Sequence, residues 1–227
     1  MIHVHVRDAQ GRHVLDADLS REATAAIRRE VGEGMVIQAT TEAVGLYTPA
    51  EQMALVRDLR PEAVSMAVRE LIPDAGAEGE AASFLAWMSG ERIAPQFILY
   101  SADDLARFDD LRRRGVVPDT FADVLYVLGR YTSGQQSTPR DLVPFLAADG
   151  SRYPWTVCAF GYREHACALT AAAMGGHIRV GFENNLHLKD GTLAPDNAAL
   201  VADVAAGVKA LGRPLAGADA VRSRFAR

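Results

Sequence analysis

Two histidines separated by one residue open the chain, within residues 1–8. Successive side chains of a β-strand point to opposite faces, so His3, His5 and Arg7 share one face and the apolar residues share the other. Two imidazoles on one face, joined by a distant glutamate, make a three-ligand site for a divalent cation. Three protein ligands leave a coordination position open, as catalytic zinc requires. The alternative is a half-buried edge strand whose histidine rings are solvated.

A second group of polar side chains lies near the other end of the chain, in residues 175–185. Arg179 stands in the middle of an apolar strand, where a buried guanidinium is costly unless it is paired. The nearest carboxylate on the same face is Glu183. Arg179 is therefore either half of a structural ion pair or an anion-binding or acid–base group beside a metal. Our central hypothesis is that this stretch and the N-terminal histidines build one site.

The remaining histidines and charged side chains give weaker evidence for a functional site. His13 and His165 are predicted to be surface residues in a turn and at a helix start. Glu42, Arg69 and Glu70 fall at strand ends, where a solvated rim is the ordinary interpretation and substrate contact the alternative.

The composition excludes several classes of function. The formal charge is −5 and no basic run is present, which argues against nucleic acid as a partner. No apolar run approaches the ~20 residues needed to cross a bilayer, and no signal-peptide pattern opens the chain. The two cysteines, Cys158 and Cys167, do not make a disulfide framework and are predicted to be buried and unreactive. We expect a protein of the reducing cytoplasm that does not bind membranes.

Strands and helices alternate along the chain with short connections. The predicted strands lie near 2–6, 35–40, 63–68, 93–100, 121–128, 155–160 and 177–180. Helices follow them, and two begin with the capping-box pattern of a threonine, a proline and an acid, at Thr48 and Thr138. The last helix, near 195–211, is predicted to bury one face, which consists of Leu200, Val201, Val204, Val208 and Leu211.

This alternation indicates parallel strands with right-handed crossovers. No glycine-rich dinucleotide fingerprint follows a strand, which argues against an open doubly wound sheet. We therefore predict an α/β fold of the (β/α)8 TIM-barrel type that lacks one strand–helix unit, as a single domain over residues 1–227. Barrel enzymes carry their catalytic residues at the C-terminal ends of the strands. The residues predicted at those ends are His5, Arg7, Thr40, Arg69, Gln96 and Glu183.

The two end motifs together resemble the β-keto acid cleavage enzymes, from Met1 to about Leu215. The stretches that carry the similarity are 3–8, 38–41, 126–129, 175–185 and 196–201. The resemblance implies a zinc-dependent (β/α)8 barrel that forms a homo-oligomer, usually a tetramer. It also implies the reaction of a β-keto acid with acetyl-CoA to give acetoacetate and a new acyl-CoA.

The resemblance implies a role for each matching residue. His3, His5 and Glu183 hold the zinc, which acts as a Lewis acid on the substrate. Arg179 works with the base that removes the proton between the two carbonyl groups, and Asn184 stands at the position of that base. The positions that match substrate contacts of the family are Thr40, Thr41, Ser65 and Gln96.

Three departures from the family pattern bear on these roles. Asn184 replaces an aspartate, and an amide cannot accept the proton, so a metal-bound water or Glu42 is needed instead, or the activity differs. Gln96 replaces a glutamate and removes a second charge. The family's opening strand and helix are absent, so the barrel lacks the first unit, and we expect a misassigned start or a truncated chain.

Three hypotheses follow from these observations. The first is a zinc-dependent acyltransferase that cleaves a β-keto acid with acetyl-CoA as co-substrate. The second is a different metal-dependent carbon–carbon lyase or hydrolase on the same barrel, and the third is a catalytically silent truncated barrel. Metal content separates the third from the others, and dependence on acetyl-CoA separates the first from the second.

Overall fold

Within residues 1–149 and 152–225, which the computed structural model describes, seven β-strands form one sheet in chain order. The strands are β1 (Ile2–Val4), β2 (Ile37–Thr40), β3 (Ala63–Ala67), β4 (Ala94–Leu99), β5 (Val124–Leu128), β6 (Trp155–Ala159) and β7 (His177–Arg179). Pairing is parallel between β1 and β2, β2 and β3, β5 and β6, and β6 and β7. The predicted fold is confirmed: the described residues form an α/β fold of the TIM-barrel type with seven strands rather than eight.

Helices lie between these strands and after the last one. They are α1 (Ala17–Val31), α2 (Pro49–Leu59), α3 (Val68–Leu71), α4 (Glu78–Glu91), α5 (Ala102–Arg113), α6 (Val143–Asp149), α7 (Glu164–Ala173), α8 (Asn197–Ala210) and α9 (Ala218–Phe225). The short helix α3 and the final helix α9 are not among the predicted helices. Of the helices in the described part of the chain, none is both long and apolar enough to cross a membrane.

Side-chain caps decide where several helices begin. Thr48 caps α2: its Oγ1 accepts the Glu51 backbone N–H at 3.3 Å, and the Glu51 carboxylate accepts the Thr48 backbone N–H at 2.7 Å. The matching box at Thr138 opens a 3-10 turn, Pro139–Leu142, which leads into α6. Both predicted capping boxes are therefore present, although the second begins a tighter turn than an α-helix.

Asp16 sets the start of α1. It is the N-cap residue, and its carboxylate accepts the Leu19 backbone N–H at 2.9 Å. The Ser20 hydroxyl donates to the Asp16 carbonyl oxygen at 2.6 Å, which adds a second hydrogen bond at the start of the helix. Asp18 then lies in the first turn of α1, where its negative charge interacts favourably with the positive end of the helix dipole.

The contacts divide the chain into two compact units, and the single domain over residues 1–227 stays a prediction. The first unit comprises Met1–Phe97, Phe108–Ala122 and Ala216–Arg227. Its core contains the Phe97 and Phe108 rings, 4.9 Å apart, and the Arg57 guanidinium covers the Trp87 ring at 4.9 Å. α9 belongs to this unit because Arg222 pairs with Glu62 at 2.6 Å.

The second unit comprises Ile98–Arg107 and Asp123–Leu215. Tyr126 stacks on Phe145 with ring centroids 4.6 Å apart, and α7 packs on α8 through small and branched side chains. The predicted apolar face of α8 is partly wrong: Val201 and Leu211 are 51% and 47% exposed, whereas the rest of that face is buried. Residues four positions apart line up on a helix, and Val201 falls outside the stripe that begins at Leu200.

Candidate active site

The two N-terminal histidines face each other. His3 lies in β1 and His5 follows it, and their Nε2 atoms are 2.9 Å apart with ring centroids at 4.8 Å. Both Nε2 atoms therefore point to one place, as the alternation of side chains on a strand predicts. Two imidazole nitrogens this close are suited to sharing a hydrogen or a bound cation.

A buried pair of glutamines, Gln38 in β2 and Gln96 in β4, lies behind His3. His3 and Gln38 are partners in the register of β1 and β2, and Gln38 Oε1 lies 2.9 Å from His3 Nδ1. Gln38 Nε2 donates to Gln96 Oε1 at 3.3 Å, and both glutamines are almost completely buried. Gln96, predicted to contact substrate, is thus hydrogen-bonded to Gln38.

The three predicted hydroxyl contacts differ in their surroundings. The Thr40 Oγ1 accepts the Glu42 backbone N–H at 3.0 Å, and the Thr41 hydroxyl donates to the Ser65 carbonyl oxygen at 3.2 Å. Ser65 lies opposite Thr40 in the register of β2 and β3. Its hydroxyl oxygen is buried and has no hydrogen-bond partner among the described residues. Of the three, Ser65 is the best supported as a substrate contact, and the role stays a prediction.

His13 is not the surface residue that the sequence predicts. A bridge between Arg7 and His13 folds the turn back, and the His13 ring lies 5.2 Å from the His5 ring. His13 Nε2 donates to the Glu42 carbonyl oxygen at 2.8 Å. Potential ligand atoms of His5, His13 and Glu42 all lie within 4.8 Å of one another. The sequence offers no periodic signal for this arrangement, because it depends on the turn after β1.

In the second unit, Arg179 forms the predicted pair with Glu183. Arg179 Nη2 donates to Glu183 Oε1 at 3.1 Å and to Cys158 Sγ at 3.5 Å. Burial works against the charge, but interactions with Cys158 and Glu183 outweigh it and raise the pKa of Arg179. The Nε and Nη1 atoms are buried with no hydrogen-bond partner among the described residues. These two donors are therefore available to an anionic ligand.

The Asn184 amide is held from both sides. Its Nδ2 donates to Glu164 Oε1 at 3.3 Å, and its Oδ1 accepts from the Cys158 thiol at 3.1 Å. Burial raises the pKa of Cys158 to about 11, so the thiol keeps the proton that it donates. Cys158 and Cys167 are both free and buried, as predicted.

Glu164 organises the turn that carries Glu183 and Asn184. This buried carboxylate at the start of α7 accepts from the Gly181 backbone N–H at 3.1 Å and from Asn185 Nδ2 at 3.2 Å. Gly181 has φ +153°, and a side chain there would lie 3.1 Å from the Asn197 amide oxygen. Glu164 is not among the site residues predicted from the sequence, although an acid at the first position of the helix after β6 was a visible signal.

Burial raises the pKa of Glu164 to about 7, and the hydrogen bonds from Asn185, Gly181 and Asn184 oppose this shift only in part. A carboxyl pKa that is higher in the folded than in the unfolded chain favours folding at low pH. This contribution is lost as the pH rises from about 4.5 to about 7. We therefore expect the free energy of unfolding to fall by about 3 kcal/mol across this range through Glu164.

The variant Glu164→Gln is isosteric with the protonated acid and is expected to lack this pH dependence. Urea unfolding at pH 5 and pH 8 measures it: the wild type should lose stability relative to the variant at the higher pH. Glu91→Gln, at an exposed pair with Arg60 of 2.8 Å, is the matched control and should leave the pH dependence unchanged. Parallel curves for Glu164→Gln and the wild type would contradict the raised pKa.

The parallel strands and the helices that alternate with them define an α/β protein of the barrel type. The family model described as beta-keto acid cleavage enzyme matches residues 1–226. The chain belongs to this family, as the end motifs predict. It is accordingly an enzyme of the β-keto acid cleavage, acyl-transferring class.

Individual relatives agree with this assignment. The chain is 29% identical over 230 residues to the 3-keto-5-aminohexanoate cleavage enzyme of Acetoanaerobium sticklandii, covering 95% of this chain and 80% of that one. It is 25% identical over 227 residues to the 3-oxoadipate:acetyl-CoA acetyltransferase of Cupriavidus necator, covering 95% and 77%. Among solved structures, type I 3-dehydroquinate dehydratase from Clostridium difficile has a TM-score of 0.57 at 8% identity, covering 86% of this chain and 77% of that chain. This last likeness shows the barrel-type fold alone.

Proposed function

We propose that this enzyme cleaves a β-keto acid with acetyl-CoA as co-substrate, giving acetoacetate and a new acyl-CoA, and that it uses zinc held by His3, His5 and Glu183. The family match over residues 1–226 carries the proposal. The relatives named for acetyl-CoA transfer and β-keto acid cleavage support the reaction type. By resemblance to the family, the proposal includes a homo-oligomer, with a tetramer as the expected form.

The proposed metal ligands fit zinc by their chemistry. The Nε2 atoms of His3 and His5 converge at 2.9 Å, and Glu183 adds a carboxylate in the turn after β7. Two imidazoles and one carboxylate are a ligand set of catalytic zinc, with one position left for substrate. When bound, the metal supplies Lewis-acid polarisation of the keto carbonyl.

Arg179 supplies fixed positive charge for an anionic oxygen of the substrate. Its Nε and Nη1 atoms are buried without hydrogen-bond partners among the described residues, and leaving such donors unpaired costs about 1–3 kcal/mol. A substrate carboxylate or a developing enolate oxygen would satisfy both donors. Donors that are already aimed before substrate arrives stabilise developing charge without reorganisation.

Asn184 does not serve as the base in this proposal. Its amide is held between Glu164 and Cys158, and a neutral amide cannot take up a proton. We assign it the role of fixing the turn beside Arg179. The proton between the two carbonyl groups must therefore go to a different acceptor.

The lack of a base at Asn184 supports a second candidate function. Without a base at Asn184, and with Gln96 engaged by Gln38 rather than carrying a charge, the site also suits a different metal-dependent carbon–carbon lyase or hydrolase. Such an enzyme would not depend on acetyl-CoA.

A panel of β-keto acids, assayed for acetoacetate with and without acetyl-CoA on protein of measured zinc content, tests the proposal. Turnover should require acetyl-CoA, disappear on chelation and return when zinc is added back. Cleavage that proceeds without acetyl-CoA would favour the second candidate. No turnover of any β-keto acid by zinc-loaded, folded protein would indicate a silent barrel.

The variant Asn184→Asp is expected to retain kcat or to raise it by up to about 100-fold, because a positioned base contributes about 10²–10⁴-fold. The introduced carboxylate would lie about where the amide nitrogen stands, 3.3 Å from Glu164 Oε1, so the two acids would share one proton. Steady-state kcat on the best substrate of the panel measures the effect.

Asn185→Asp is the matched control for this variant. Asn185 Nδ2 also donates to Glu164, at 3.2 Å, so the control adds the same charge next to the same acid outside the position of the family's base. It should not raise kcat. A complete loss of turnover by folded Asn184→Asp would instead show that the amide has a role of its own.

A further inference from the structure

The hydrogen atom on each ring of the histidine pair can be placed from the neighbouring groups. Gln38 Nε2 donates to Gln96, so Gln38 Oε1 is the atom turned toward His3 Nδ1, at 2.9 Å. A carbonyl oxygen only accepts hydrogen bonds, so His3 carries its hydrogen on Nδ1. The lone pair of His3 is then on Nε2, which is the atom that faces His5.

His5 must complement this arrangement when no metal is bound. His3 Nε2 is an acceptor, so His5 Nε2, 2.9 Å away, carries a hydrogen and donates it to His3. To bind a cation together with His3, His5 Nε2 would have to give up that hydrogen, because only a nitrogen lone pair binds metal. A neutral His5 ring then carries its hydrogen on Nδ1.

The carboxylate of Glu42 stands on the side of the ring where this hydrogen appears. Glu42 Oε2 lies 3.6 Å from His5 Nδ1, and the two side chains are 19% and 17% exposed. This distance is longer than a direct hydrogen bond, and a small movement of the carboxylate brings the two atoms within hydrogen-bond range.

The backbone of Glu42 is fixed on both of its polar groups. The Thr40 hydroxyl oxygen accepts its N–H at 3.0 Å, and its carbonyl oxygen accepts from His13 Nε2 at 2.8 Å. His13 therefore supports Glu42, and this role accounts for the position of His13 beside His5. The carboxylate is held near His5 before any ligand binds.

We propose that Gln38 and Glu42 are positioning residues for the metal. Gln38 holds His3 in the tautomer that has its hydrogen on Nδ1 and its lone pair on Nε2, and Glu42 stabilises the same tautomer of His5 once a cation binds. This inference rests on the proposed zinc-binding function. A group that accepts the far ring hydrogen of a metal-bound histidine orients the ring and raises its basicity, and losing it costs about 10–100-fold in metal affinity.

Zinc affinity, measured by competition with a chromophoric chelator, tests the role of Glu42. Glu42→Ala should bind zinc about 10–100-fold more weakly than the wild type. Glu42→Gln should fall between them, because the amide oxygen still accepts a hydrogen bond but carries no charge. Glu91→Gln, at its exposed pair with Arg60, is the control and should match the wild type.

Long-range ¹H–¹⁵N NMR of the histidine rings provides a second readout. In metal-free protein His3 should carry its hydrogen on Nδ1 and His5 on Nε2, and zinc should move the His5 hydrogen to Nδ1. Gln38→Met should remove the preference of the His3 ring for carrying its hydrogen on Nδ1. If that variant fails to fold, the Glu42 series and the wild-type spectra still decide the question.

Two results would overturn the inference. One is a Glu42→Ala variant with wild-type zinc affinity but reduced turnover, which would make Glu42 the missing base instead of a positioning residue. The other is metal-free protein in which His3 carries its hydrogen on Nε2. A wild type that binds no zinc, with the predicted ring hydrogens in place, would overturn the zinc proposal and leave this arrangement of the histidine pair standing.

Discussion

His5→Ala is expected to remove bound zinc and to lower turnover at least 100-fold. Three protein ligands are proposed to hold the metal, and losing an imidazole removes one of them. Changes to groups that only support a ligand already cost about 10–100-fold, so loss of a ligand must cost more. Zinc content after dialysis, together with kcat on the best β-keto acid, measures both effects.

His177→Ala is the matched control for this variant. His177 is exposed and lies at the start of β7, away from the C-terminal strand ends where barrel enzymes carry their active sites. It should bind zinc and turn over like the wild type. Full activity of folded His5→Ala would refute the metal mechanism, whereas loss of activity with zinc retained would give His5 a role other than metal binding.

Arg179→Lys is expected to lower kcat by about 10²–10³-fold with zinc content unchanged. Lysine keeps the positive charge beside Glu183 but cannot supply the Nε and Nη1 donors, which lack hydrogen-bond partners among the described residues. Removing one aimed donor to a developing oxyanion costs about 10²–10³-fold in kcat. Steady-state kinetics that separate kcat from KM, with zinc analysis of the same samples, measure the effect.

Arg213→Lys controls for loss of a guanidinium in the same unit. Arg213 Nη1 donates to the Gly176 carbonyl oxygen at 2.7 Å, so this substitution should reduce stability and leave kcat unchanged. If Arg179→Lys raised KM alone, Arg179 would bind substrate and transition state equally. An unchanged kcat and KM would make the Arg179–Glu183 contact a structural ion pair, which is the alternative that the sequence leaves open.

Local sequence patterns predicted most of the elements. The capping box at Thr48 and the alternation of strands with helices depend on residues a few positions apart, so they can be found without the fold. The helix α9 escaped prediction because its attachment is an ion pair between Arg222 and Glu62, 160 positions apart. Charged side chains on a short helix look like a solvated face until their partners are known.

The same distinction applies to the site. The residue types and spacing of the two end motifs indicated the family and named the residues with chemical roles. The residues next to them in the sequence did not indicate which side chains they would contact. Asn184 is held by Glu164 and Cys158, and Gln38 faces His3. These contacts join positions 20 to 35 residues apart, and they depend on strand register and on how each turn folds back.

The sequence by itself determined the order of strands and helices, the family and the residues available for chemistry, because periodicity, capping and motifs are local properties. The tertiary structure decided which donors stay unpaired, which carboxyl has a raised pKa and which ring nitrogen of each histidine faces the other. Burial and hydrogen bonding between distant segments set all three, and neither can be read from residues that are adjacent in the chain.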